Sequence, residues 1–202
     1  MIKIHLGCNG QIFGVIPGIN GPAIWGPAED WINIDIDFDP EMISRTGTTD
    51  RIYGYPRALA CDFRMLPFPD DFADIAYAHH SLEHIYVRDV LPTLKEWYRV
   101  LKPSGIVHIN VPDLLWIAEQ LVRTQGNLLW SAMGERTGEW ETSYTKLIYG
   151  IFGDQSTDFQ THKTGFTAPY LNVLLEQAGF LDIRTDHTDG MGLRCLIVEG
   201  RK

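Results

Sequence analysis

With 202 residues, the chain is long enough for one domain with a substantial buried core and short for two. Its 26 acidic against 17 basic residues give a net charge of −9, which argues against broad binding to nucleic acid or to an anionic membrane. Cys8, Cys61 and Cys195 are odd in number and far apart, unlike a disulfide framework or a zinc site, and they suit a reducing cytoplasm. The N-terminal run is too interrupted for a signal peptide and no apolar run is long enough to span a bilayer, so the expected protein is soluble and cytoplasmic.

Ile2, Ile4 and Leu6 begin a buried strand that ends at Gly7-Cys8-Asn9-Gly10. Glycine there permits unusual backbone angles and close approach of a ligand to main-chain N–H groups, although an ordinary strand-to-loop turn has the same pattern. Gly-x-Gly-x-x-Gly cannot be read from Gly7, so there is no dinucleotide fingerprint. Residues 11–30 carry Gly14, Gly18, Gly21 and Gly26 with Pro17, Pro22 and Pro27 between them, which excludes a regular helix. The segment reads as a Gly/Pro-rich loop, packed down or serving as a lid.

Trp31 to Asp37 gives a second strand with Asp35 near its tip. Asp37 and Asp39 follow, but the run lacks the glycine and distal glutamate of a calcium loop, and no metal site is expected. Residues 40–57 read as a connection with little regular structure. Ala58–Cys61 is a third strand closed by Asp62 and Phe63, where Asp62 is also suited to capping the following turn. After Pro67 and Pro69, Ile75–Ala78 is a fourth strand that runs into His79, His80, Glu83 and His84.

Val90, Leu91, Leu94, Trp97, Tyr98 and Leu101 mark one face of a helix, with Pro92 placed in its first turn. Leu101-Lys-Pro-Ser-Gly105 is the expected stop, and Ile106–Val111 a fifth strand. Asp113 is the predicted N-cap of a helix that turns Leu114, Ile117, Ala118, Leu121 and Val122 inward and stops at Gly126. Residues 127–166 break the alternation as a polar and aromatic insertion. Thr167 then opens a last helix that Gly179 stops, and Leu181–Thr185 and Cys195–Glu199 are the final strands. Short apolar strands that release polar residues at their carboxyl ends imply an open, mostly parallel α/β sheet, which binds ligands outside those ends.

Asp62-x-x-x-Leu66-Pro-Phe-Pro-Asp70 followed by Leu82-Glu-His84 resembles the class I S-adenosylmethionine-dependent methyltransferases. Within them it is most similar to a small methyltransferase type 11-like group in which Leu-Gly-Cys-Gly, Trp-Ile-Asn-Val-Asp and Leu-Glu-His occur in that order. Here the first two stand as Leu6-Gly-Cys-Asn9 and Trp31-Ile-Asn-Ile-Asp35. Glu96-Trp-Tyr-Arg-Val-Leu-Lys-Pro-Ser-Gly105 and the run from Gly153 through Gln155 and Asp158 to His162-Lys163 extend the likeness over nearly the whole chain.

The resemblance implies a Rossmann-like fold in one domain, with a seven-stranded sheet of order 3-2-1-4-5-7-6 and a loop in place of the first helix. It implies S-adenosylmethionine as cofactor. Leu6, Gly7, Cys8 and Asn9 would hold its methionine end, although Asn9 replaces the family's second glycine. Asp35 and Ile36 would meet the ribose, whose vicinal hydroxyls suit the two acceptor oxygens of a carboxylate. Asp62 and Phe63 would meet the adenine, and Ala78 and His79 the remainder of the cofactor. His80 is the candidate general base, since imidazole titrates near neutral pH, or else it shapes the pocket. His84, Asp113, Gln155, His162 and Lys163 are the expected substrate-binding residues. The implied activity is methyl transfer to an oxygen or nitrogen of a small molecule or glycan, with no nucleic-acid partner. A noncatalytic cofactor-binding partner subunit is the rival, and the oligomeric state stays open.

Overall fold

A parallel strand covered on both faces buries every residue, and the first strand of this chain does so from Lys3 to Leu6. The computed structural model describes residues 1–7, 31–36, 51–52, 54–125, 144–190 and 193–202. Its strands are β1 (Lys3–Leu6), β2 (Trp31–Asp35), β3 (Arg51–Ile52), β4 (Tyr55–Pro56), β5 (Ala58–Ala60), β6 (Ala73–His79), β7 (Leu101–Pro112), β8 (Leu181–Gly190) and β9 (Leu193–Arg201). Seven of them form one sheet in the order β5-β2-β1-β6-β7-β9-β8. The first five in that order pair parallel, while β9 runs antiparallel to both β7 and β8. Renumbered without the small β3–β4 pair, this is the 3-2-1-4-5-7-6 order that the resemblance implied.

The helices are α1 (Val87–Val100), α2 (Leu114–Thr124), α3 (Tyr144–Phe152) and α4 (Ala168–Ala178). Val90, Leu94, Trp97 and Val100 of α1 and Leu171, Leu174 and Leu175 of α4 are buried against Leu6, Ile34 and Ala78 in one apolar core. The α4 helix follows Thr167 and ends at Gly179, whose φ of 108° closes the last turn as a left-handed cap. Among the described residues, Cys61 and Cys195 are free thiols. No helix there is long and apolar enough to cross a membrane.

Several local expectations are corrected. Helix α1 starts at Val87, so Pro92 lies in its second turn rather than its first. The proline is exposed, and the carbonyl that loses its partner can be met by water. Leu101 leaves the helix and opens β7, pairing with Ala73. The expected stop therefore lies inside the strand, where a register shift and a positive φ at Ser104 absorb Lys102–Gly105. In α2, Asp113 caps as expected, accepting from the N–H groups of Leu115 and Trp116, but only Ile117 is buried. Ala118 and Val122 are exposed because the contacts of α2 come mainly from α3 and β9. Gln125, at φ 52°, takes the left-handed cap position one residue before Gly126. Residues 40–57 contain the short β3–β4 pair. Cys8, Asn9, the 11–30 loop, Asp37, Asp39 and residues 126–143 of the insertion lie outside the described residues.

Candidate active site

Register decides which side chains meet. Leu6 is level with Ile34 on one side and with Ala78 on the other, and Asp35 is level with Ala60. The residues just beyond these positions therefore surround one cleft of about 230 Å³ at the carboxyl ends of the strands. Gly7, Asp35, Ile36, Asp62, Phe63, His80 and Ser81 line its strand side. Leu6 and Ala78 are fully buried beneath it and support the floor.

Gly7 has φ 68°, and a Cβ built on it would stand 2.5 Å from the Cβ of Ser81. Only glycine fits, so the end of β1 presents bare backbone to the cleft. The Ser81 hydroxyl beside it is buried without a hydrogen-bond partner. At the end of β5, Cys61 N–H donates to the Asp35 carbonyl at 2.9 Å and sets Asp62 next to the tip of β2. The Asp62 carboxylate caps its own turn by accepting from Arg64 N–H at 2.9 Å, and it holds the Arg64 guanidinium at 2.6 Å. Burial pushes Asp62 up, but the bonds from Arg64 outweigh it and hold the carboxyl below the usual range. Phe63 packs edge-on to Trp97, whose indole N–H donates to the Phe63 carbonyl at 3.0 Å.

His80 follows β6 in a left-handed conformation, φ 50°. Its Nδ1 lies 3.0 Å from Glu83 Oε1 and its Nε2 3.7 Å from the Cys195 sulfur. Burial disfavours charge on this ring, yet the Cys195 and Glu83 contacts reverse that and raise it to about 10. The ring is thus held between Glu83 on one nitrogen and Cys195 on the other. His79, half-buried, stacks on Tyr77, and burial together with the neighbouring His80 drops it to about 4. It does not line the cleft.

The opposite wall comes from far along the chain. Lys163 and Thr164 N–H groups donate to the Glu83 carbonyl at 2.8 and 3.1 Å, stitching the 161–164 segment to the turn after β6. His84, Tyr86, Gln160 and Lys163 therefore face the cleft. Glu83, His162 and Lys163 line a second cavity of about 170 Å³, so Lys163 borders both. Lys163 is held there by the Asp158 carbonyl at 2.7 Å and lies over the Tyr86 ring. His162 is lowered by burial, and its Nδ1 lies 3.0 Å from the Gly150 carbonyl.

Of the expected substrate residues, His84, His162 and Lys163 come together. Asp113 and Gln155 do not: Asp113 is the buried cap of α2, and Gln155 is exposed, lining neither cavity. Glu83, Ser81, Tyr86 and Gln160 are the residues that the site adds. Glu83 had one sequence signal, its place inside Leu82-Glu-His84, but the start of a helix was an adequate use for an acid there. In fact it is fully buried.

A bare glycine backbone, an orphaned serine hydroxyl and two carboxylates on adjacent parallel strands fit an elongated ligand with a polar amino-acid end, a diol and a base. Residues 25–109 match the family model described as a methyltransferase domain. A ubiquinone/menaquinone biosynthesis C-methyltransferase of Paraburkholderia phytofirmans is 31% identical over 127 residues, 60% of this chain. The match covers 45% of that relative's length. The fold covers all of this chain in a 1,6-didemethyltoxoflavin-N1-methyltransferase of Burkholderia thailandensis, crystallised with S-adenosylhomocysteine, at TM-score 0.59, 17% identity and 70% of that chain. An S-adenosylmethionine dependent methyltransferase of Mesorhizobium loti also matches the whole chain, at TM-score 0.57, 18% identity and 90% of its own length. The fold is thus that of the class I methyltransferases.

Proposed function

We propose that the protein transfers the methyl group of S-adenosylmethionine to an oxygen or nitrogen of a small molecule or sugar. The observation that carries this reading is the single cleft in which Gly7, Asp35 and Asp62 meet the 160–163 segment, joining a cofactor wall to an acceptor wall. When bound, the cofactor would supply a sulfonium methyl to the acceptor lone pair, the carbon–sulfur electron pair returning to sulfur and the acceptor proton passing to water. Gly7 backbone and the Ser81 hydroxyl receive the methionine end, Asp35 the ribose, and Asp62 with Phe63 the adenine. Both Asp62 oxygens already take two contacts each from Arg64, so the adenine amine is accepted as the Arg64 guanidinium gives up part of its hold. Lys163, Tyr86 and Gln160 position the acceptor, and much of the rate follows from that alignment. His80 takes the role of a positioning residue that fixes Glu83.

Calorimetry with S-adenosylmethionine, S-adenosylhomocysteine and NAD tests the cofactor, and tighter binding of NAD would overturn the assignment. Release of S-adenosylhomocysteine from a mixed pool of sugar nucleotides, alcohols and small amines tests the enzyme. Cofactor bound with silence across the pool would favour a noncatalytic subunit instead.

A further inference from the structure

We propose that Glu83, His84 and His162 hold one divalent first-row transition ion, such as zinc, in the wall between the two cavities. One ligating atom from each lies within 4.8 Å of the other two. The donor set is two imidazoles and a carboxylate, which suits borderline ions of this row better than magnesium or calcium.

Three observations beyond proximity support the site. Glu83 is 1% exposed, and its Oε2 is buried with no hydrogen-bond partner, while Oε1 is held by His80. His80 meets one oxygen of this buried carboxylate, and the other is left for a further partner to satisfy. Second, both histidines are oriented as ligands are: His162 Nδ1 faces the Gly150 carbonyl at 3.0 Å, and His84 Nδ1 faces the Thr161 carbonyl at 3.3 Å. A carbonyl only accepts, so each Nδ1 donates to it, which leaves Nε2 as the nitrogen that a neutral ring offers a metal. Third, His162 Nε2 stands 4.0 Å from Glu83 Oε1, too long for a hydrogen bond. A lone pair and a carboxylate facing each other across that gap are compatible once a cation lies between them. A shell with bonds near 2.0–2.2 Å would bring the donors closer than this, to a spacing of ~3.0–3.5 Å.

His84 borders the cleft, and Glu83 and His162 border the second cavity. An ion between them would polarise an acceptor hydroxyl and ease loss of its proton. This last role rests on the methyltransferase reading; the ion site does not.

The test strips the full-length protein with chelator and titrates it with Co²⁺, reading visible absorption, and with Zn²⁺ by calorimetry. One equivalent, weakened at least tenfold by Glu83→Gln and by His162→Gln with circular dichroism unchanged, supports the site. His84→Gln, at a half-exposed position, carries the test if the buried variants fail to fold. No stoichiometric binding, or binding that these substitutions leave unchanged, overturns it. S-Adenosylhomocysteine affinity is measured on the same samples. Cofactor binding without metal binding sinks the ion site alone, and metal binding without cofactor binding sinks only the methyltransferase reading.

Discussion

Gly7→Ala isolates the close approach between the end of β1 and Ser81. Two costs add. Holding an L-residue at φ 68° costs about 1–2 kcal/mol, because its Cβ crowds the following carbonyl. The new Cβ also stands 2.5 Å from Ser81 Cβ, and relieving such overpacking costs about 1–3 kcal/mol. The Phe63 ring, at 3.3 Å, can yield at little cost. The total is about 2–5 kcal/mol, a large share of a domain's stability. Urea titration followed by tryptophan fluorescence measures it, with Ser81→Gly as a second background. Removing Ser81 Cβ abolishes the clash but not the backbone strain, so there Gly7→Ala should cost only about 1–2 kcal/mol. A loss below about 0.5 kcal/mol in the native background, or an equal loss in both, would refute this account of the turn.

Asp35→Ala should weaken S-adenosylmethionine binding by about 1.5–3 kcal/mol in calorimetry, as for a lost charge-assisted hydrogen bond; unchanged affinity would mean that the ribose lies elsewhere. His80→Ala leaves the buried Glu83 Oε1 without its donor and should cost about 1–3 kcal/mol of stability, with cofactor affinity nearly intact. Full stability with lost turnover would instead restore the general-base role. Burial pushes Asp74 up, but the Lys102 ammonium at 2.9 Å and the Ile2 N–H at 2.6 Å outweigh it and hold the carboxyl below its ordinary value of 3.8. Its stabilising effect is therefore complete above that value and lost as pH falls through the lower folded value. The melting temperature of Asp74→Asn should lie below that of the parent at pH 7 and meet it in strong acid; a gap that persisted or widened there would contradict the pairing.

Much of the frame was legible in the sequence because strands and helix ends are local. Alternation of apolar runs with turns marked every strand of the sheet, and Gly179 marked the end of α4 because only a left-handed residue closes that turn without strain. Asp35 at the tip of β2 and Asp62 just after β5 could be placed at one edge because a parallel sheet delivers successive strand tips there, while the roles expected of them came from the resemblance. What failed locally depended on neighbours. Ala118 and Val122 fit a helical stripe, but a stripe is buried only as far as other elements reach it, and those that meet α2 leave both exposed. Leu101 fits the face of α1 equally well, yet pairing with Ala73 draws it into β7. The wall opposite the strand tips is the clearest case. Glu83 and His162 are 79 positions apart, and backbone hydrogen bonds from Lys163 and Thr164 to the Glu83 carbonyl bring their segments together. Sequence supplied an acid and several histidines suited to chemistry. Tertiary packing made the acid fully buried, gave one of its oxygens to His80 and left the other without a partner beside two oriented imidazoles, because burial and pairing belong to the assembled chain and not to any one stretch of it.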